Sequence, residues 1–120
     1  MEDTTIEQEI QNKGLTAPRV TLSDIEASIA SEHYFTAGQA IGLSPVDGVD
    51  YVPPRAVHPL DLLTFCVLVL QSGFTVTGES ACASPENFDA ELGRKIARQH
   101  AVSKMWPLMG YALKDRLSAS

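Results

Sequence analysis

Apolar positions fall along this chain in blocks of different period. In TLSDIEASIASEH, Leu22, Ile25, Ile29 and His33 recur at three- and four-residue spacing, which sets them on one helical face. Thr21 or Ser23 can cap such a helix, and Asp24 and Glu26 suit its positive N-terminal end. The pattern predicts a helix over about 22–33. The preceding segment, TTIEQEIQNKG, has helix-compatible composition but offers only Ile6 and Ile10 as an apolar stripe before Gly14. Two such residues do not stabilise a short helix in water, so residues 1–14 fray or pack on something else.

Further on, LLTFCVLVLQSGFTVTGES gives two extended runs around Ser72 and Gly73, a dipeptide that signals a hairpin because glycine accepts a positive φ. The first run, about 62–70, is apolar at both parities and implies burial on both faces. A helix over 59–71 is the alternative, since periodicity alone cannot separate the two. The second run alternates, with Phe74 and Val76 against Thr75, Thr77 and Glu79, as a half-exposed strand does. A long helix follows over about 85–106. Ser84 is placed to cap it, Pro85 fits its first position, and Glu86 and Asp89 complement its dipole. Phe88, Leu92, Ile96, Val102 and Trp106 supply its inward face, and Gly93 and Ala97 are small enough to admit a close neighbour. Pro107 kinks or stops it, leaving PLMGYALKDRL as a short last helix. Between the two halves, residues 38–59 are rich in proline and glycine and read as a long loop.

These elements predict a small single α+β domain: an N-terminal helix, a β-hairpin at about 62–80, the long helix and the short C-terminal one. A hairpin whose first strand is buried on both faces needs covering twice. The long helix takes one face and a second subunit the other, so a homo-oligomer is expected.

Charge and composition then remove function classes. The 120 residues carry a formal charge of -6, so bulk nucleic acid and anionic membrane are not expected partners. The longest apolar run, about 60–70, is too short to cross a bilayer. The excess of acids lies before residue 62, whereas Arg94, Lys95, Arg98, Lys104, Lys114 and Arg116 balance the second half. Two cysteines without a signal-peptide pattern point to a reducing cytosol. Cys66 reads as a core thiol, which leaves Cys82 as the candidate for reactivity. His33, His58 and His100 sit in separate elements, so neither a metal site nor a cofactor is expected. GESAC is superficially like a nucleophile elbow but lacks the second glycine, and the chain is too short for a hydrolase sheet. No enzyme is expected.

One stretch carries candidate binding chemistry. A helix N-terminus attracts phosphate or carboxylate, and here the small residues Gly78, Ala81 and Ala83 and the hydroxyls of Ser80 and Ser84 precede it. Asn87 adds an amide, Arg94 and Arg98 share a face with Lys95 beside it, and Tyr111 is placed to stack on a base. The plainer reading of the same residues is a structural cap followed by a solvated face paired with Glu91.

GLTAPRVTLSDIEASIASEHYFTA together with LTFCVLVLQSGFTVTGESACASPENFDAELGRKIARQHAVSKMWPLMGYALKDRL resembles the small tailed-phage proteins grouped as the phage gene-49/gene-66 family. The resemblance covers about residues 14–117, apart from 38–58, and FTVTGESACASPENFD is its most specific part. It implies an accessory phage protein acting in the infected bacterial cytoplasm and supplies no site residues. Two expectations of different class follow. One is a non-catalytic oligomeric sponge for a nucleotide immune signal, a cyclic oligonucleotide or cyclic ADP-ribose derivative, held by Ser80, Ser84, Asn87, Arg94, Lys95, Arg98 and Tyr111. The other is a protein inhibitor of a host enzyme working through the acidic N-terminal half.

Overall fold

The hairpin forms where the Ser72-Gly73 signal puts it, with β2 (Leu63–Leu70) antiparallel to β3 (Thr75–Ala81). Gly73 takes a φ of 89° and closes the turn by donating to the Leu70 carbonyl at 2.8 Å. The chain is described here by a computed structural model over residues 3–15, 17–43 and 58–119. A third strand, β1 (Ile29–Thr36), completes an antiparallel sheet of order β1-β2-β3.

This strand corrects the helix expected over 22–33. Helix α2 spans only Leu22–Ser28, opened by a capping box in which Thr21 and Asp24 exchange hydrogen bonds. The chain then passes directly into β1. Ile29 and Ser31 pair with Leu70 and Val69, so Ala30 is an extra residue in the ladder and the strand bends there. Ile25, Ile29 and His33 mimic a helical face, but pairing with β2 satisfies the backbone from Ser31 onward better than an isolated half-turn of helix would.

β2 is the central strand, and its two faces differ. Thr64, Cys66, Leu68 and Leu70 are buried beneath the long helix, whereas Leu63, Phe65, Val67 and Val69 are only half-buried on the other side. On that second face Phe35 and Phe65 stack with ring centroids 5.6 Å apart. Burial on both faces, expected from composition, therefore holds for one face within a single chain. Most of the loop expected at 38–59 lies outside the described residues. At its near end Ala37–Ala40 form a helical turn, α3, capped by a Thr36–Gln39 box, and at its far end Pro59–Leu62 form a 3-10 turn.

The long helix α4 runs without a break from Ala90 to Ser118, so the separate C-terminal helix does not exist. Pro107 removes one hydrogen bond to the Ser103 carbonyl, but both residues lie on the exposed face where water can take that carbonyl. Buried Met105 and half-buried Met109 hold the turns on either side. The helix also begins later than Ser84. Ser84 heads a 3-10 turn, Pro85–Asn87, with no side-chain capping bond, and Asp89 caps α4 by accepting from the Leu92 N–H at 3.0 Å.

The inward face of α4 is set by small residues rather than by the large ones expected. Leu92 is 54% exposed and Ile96 half-buried, while Ala97, Ala101, Val102 and Met105 are buried. The cause is Gly78 in β3. A Cβ there would stand 2.1 Å from the Ala97 carbonyl oxygen and 2.3 Å from the Ala101 nitrogen, so helix and strand meet backbone to backbone. The core closes around that contact with Ile25, Cys66, Leu68, Leu70 and Val76.

The segment before α2 forms α1 (Asp3–Asn12), which has no buried residue and packs on something else, as its thin apolar stripe requires. Glu7 binds the Arg19 guanidinium with both oxygens and accepts from the Leu22 N–H, and Trp106 donates its indole N–H to Asp3 at 3.1 Å.

Replacing Gly78 with alanine is expected to destabilise the fold toward the upper end of ~1–3 kcal/mol, because the clash is with backbone atoms that no rotamer change can move. Denaturant melts of Gly78→Ala against the parent chain check this, with Gly110→Ala, where the added Cβ meets nothing, as the tolerated control. A second expectation concerns pH. The Arg19 guanidinium, then the Leu22 N–H, hold the Glu7 carboxyl down at about 2. A depressed acid stabilises the folded form above its ordinary range and ceases to as pH falls through its folded value. Docking of α1, read by the emission of Trp106, the single tryptophan, should hold at neutral pH and be lost as pH drops toward about 2.

Candidate functional site

Two adjoining clefts open at the end of the sheet where α4 starts. The first, about 70 Å³, lies between β1, α3 and the first turns of α4, with Tyr34, Phe35, Phe88 and Arg94 in its walls. The second, about 130 Å³, lies between the end of β3 and the α4 start, with Ser80, Cys82, Asn87 and Asp89 among its lining. Thr64 and Phe88 belong to both. Gly93 keeps them close: a Cβ there would meet the Thr64 hydroxyl oxygen at 3.1 Å.

Of the seven residues expected to bind, three converge. Ser80 and Asn87 line the second cleft and Arg94 the first. Ser84 is beside them, half-buried, its carbonyl accepting from the Cys82 thiol at 3.2 Å. Lys95 points elsewhere, into an exposed ion pair with Glu91 at 3.3 Å. Tyr111 is 76% exposed and stands 17 residues beyond Arg94, about 26 Å along the helix axis.

Arg98 takes a structural position. Its guanidinium bridges Glu26 of α2 and Glu32 of β1, each at 2.8 Å, so it ties the long helix to both N-terminal elements. Glu32 also accepts from the Tyr34 hydroxyl at 2.6 Å. The hydrogen bonds from Arg98 hold the Glu32 carboxyl below its usual range, and the two carboxylates raise the Arg98 pKa further. Burial, and next the Glu32 carboxylate, push the Tyr34 phenol up, and burial does the same to the Cys66 thiol.

The α4 N-terminus is not an open anion site. Asp89 places a carboxylate on it and takes the Leu92 N–H, with Glu86 and Glu91 on either side. Arg94 is different. It makes no hydrogen bond or ion pair among the described residues, and it lies against a cleft that Tyr34 and Phe88 help to line. The ring residues do not stand out in the sequence as long as the start of β1 reads as helix. The alternation in SEHYFT, with Glu32, Tyr34 and Thr36 on one parity and His33 and Phe35 on the other, is the signal that marks them.

Among the described residues, acids of the first half are engaged within the chain: Glu7 on Arg19, Glu9 on Lys13, Glu26 and Glu32 on Arg98, and Asp24 in the α2 cap. Among the described residues no group of three or more His, Cys, Asp or Glu side chains could hold a metal ion. No described helix is long and apolar enough to cross a membrane.

A family model described as Phage protein (N4 Gp49/phage Sf6 gene 66) family matches residues 20–117, from the residue before the α2 cap to the last turn of α4. The chain belongs to this family of phage proteins. No match was found among curated proteins or among solved structures.

Reversing the charge in Arg98→Glu would set three carboxylates together where one guanidinium now joins two. The expected loss is about 1–2 kcal/mol of stability, discounted for the partial exposure of the pair. Its wild-type contribution is present at neutral pH and fades as pH falls through the lowered range of Glu32. Thermal melts of Arg98→Glu and Lys95→Glu separate the two roles: the first should melt well below the parent chain and the second close to it.

Proposed function

We propose that the protein captures, without transforming it, a phosphate-bearing nucleotide signal of bacterial antiphage defence, of the cyclic oligonucleotide or cyclic ADP-ribose type, in the host cytoplasm. The observation that carries this reading is Arg94. In a chain of net charge -6, Arg19 and Arg98 have each taken carboxylates, whereas Arg94 faces a cleft lined by Tyr34 and Phe88 with no acid bound to it among the described residues. A guanidinium beside aromatic faces suits both parts of a nucleotide: its fork meets phosphate oxygens, and the rings offer stacking to a base. Ser80 and Asn87 in the adjoining cleft add a hydroxyl and an amide.

The dimensions refine the reading. Clefts of about 70 and 130 Å³ fall short of the ~300–1,000 Å³ usual for a small-molecule pocket. In this proposal the two clefts grip the phosphate end and one base edge, and a second copy closes over the remainder. Phosphate goes to Arg94, not to the α4 N-terminus, where the Asp89 carboxylate would repel it.

The test is a thermal-shift screen of the full chain against cyclic dinucleotides, cyclic trinucleotides and cyclic ADP-ribose isomers, followed by heat release and chromatography of whatever bound. A ligand that binds only the folded state raises its melting temperature, and a sponge returns it intact. Arg94→Glu is expected to abolish the shift while melting like the parent, and Lys95→Glu to keep it. No shift across the panel rejects the proposal, and a chemically altered ligand would replace capture with catalysis.

A further inference from the structure

Helix α1 is attached to the domain in an unusual way. None of its residues is buried, Ile6 is 40% exposed, and the apolar groove it forms with the domain, about 180 Å³, is walled by Val20 and Trp106 on one side and Ile6 and Ile10 on the other. What it lacks in burial it replaces with directed polar anchors at both ends of that groove: Asp3 on the Trp106 indole, and Glu7 on the Arg19 guanidinium and the Leu22 N–H. The matched family residues begin at 20, so α1 and residues 13–19 lie outside the matched region, while the surface that receives α1 is mostly within it.

We propose that α1 is an exchangeable arm: the surface it docks on in its own chain takes the same helix from a second copy, giving an arm-exchanged dimer. The chemistry of the occupant is defined, because that surface already carries it. It is an amphipathic helix with isoleucines four residues apart for Val20 and Trp106, and with a carboxylate set between them for Arg19. Every anchor runs from α1 to a residue at or beyond position 19, so an arm from another copy makes the same contacts at no loss. The six residues 13–18 can span up to about 21 Å when extended, and they include Gly14, whose φ of 68° is a conformation that glycine leaves easily. An arm with no buried residue opens at little cost, which makes the balance between the closed and exchanged forms a matter of protein concentration.

Charge reversal across the latch tests this with full-length chains. In Glu7→Arg the arm and Arg19 repel, and in Arg19→Glu the arm meets a like carboxylate, so each variant alone should release α1 and shift Trp106 emission toward that of exposed indole. Mixed one to one, the two variants complement each other in trans at both latches. The arginine introduced on the arm of one chain faces the glutamate introduced on the body of the other, and the native Glu7 and Arg19 face each other at the second site. The expected result is a heterodimer by light scattering with restored Trp106 emission, its dissociation constant about fivefold or more below that of either variant alone. A mixture that stays monomeric and unlatched, while the double variant carrying both changes regains native emission, would show that the arm acts only on its own chain and overturn the proposal. Equal association of the mixture and the separate variants would overturn it too, as would unchanged Trp106 emission in both single variants.

Discussion

The approach of α4 to Gly78 is the constraint on which the rest of the structure depends. Because the Ala97 carbonyl and the Ala101 N–H lie where a side chain would be, the helix axis is drawn down onto β3 at one point and its rotation is fixed there. Ala97, Ala101 and Met105 then follow at four-residue steps along the inward face, and Gly93 continues the same line to the Thr64 hydroxyl. Small residues bring backbones together but bury little apolar area each, so large side chains must fill the rest of the core. Leu68, Met105 and Ile25, all fully buried, do this. The same rotation turns Leu92 outward and carries Arg98 over the acids of α2 and β1, so the ion-pair clamp is a consequence of the glycine contact.

Arg94 and Arg98 show how four residues on one helix face can separate a guanidinium bound by acids from one that is not. One turn along α4 changes the neighbour from the junction of α2 and β1, where two carboxylates wait, to the end of the sheet, where rings and a threonine line a cleft. Arg98 is saturated, and its value lies in joining elements distant in sequence. Arg94 keeps its fork available, and in an acidic molecule an arginine bound to no acid among the described residues is the more informative of the two.

What could be read from the sequence follows the range of the forces involved. The hairpin was legible because its turn is decided by Ser72, Gly73 and their immediate neighbours, and the α+β class followed from it. Strand β1 was not, since Ile25, Ile29 and His33 carry a helical spacing that only pairing with β2 overrides. Ser84-Pro85-Glu86 is a sound helix-start signal that nucleates one 3-10 turn, and Asp89 begins the real helix because Phe88, its φ and ψ at -67° and 126°, is still extended. Pro107 signalled a break that solvent exposure forgave. At the site, Ser80, Asn87 and Arg94 follow from local chemistry, while Tyr34 depends on a strand that the helical spacing conceals. The distinction between Arg94 and Arg98 requires knowing which acids the fold delivers.

The two ends of α4 serve different neighbours, and their separation matters to how the molecule can work. Arg94 and Trp106 are twelve residues apart, about 18 Å along the helix. The cleft end is shaped by the sheet and by Asp89, and the arm end by Asp3, Glu7 and Arg19, with no residue shared between the clefts and the arm groove. The helix between them is pinned at Gly78 and clamped at Arg98, which leaves it little freedom to relay a small displacement from one end to the other. Coupling between the ends would therefore run through assembly and not through a shift within one chain: an exchanged arm would bring a second copy near, and the position of that copy would decide whether its surface reaches the cleft. In the proposed exchange this balance would follow concentration, and an α4 pinned at Gly78 would present the same cleft in either state.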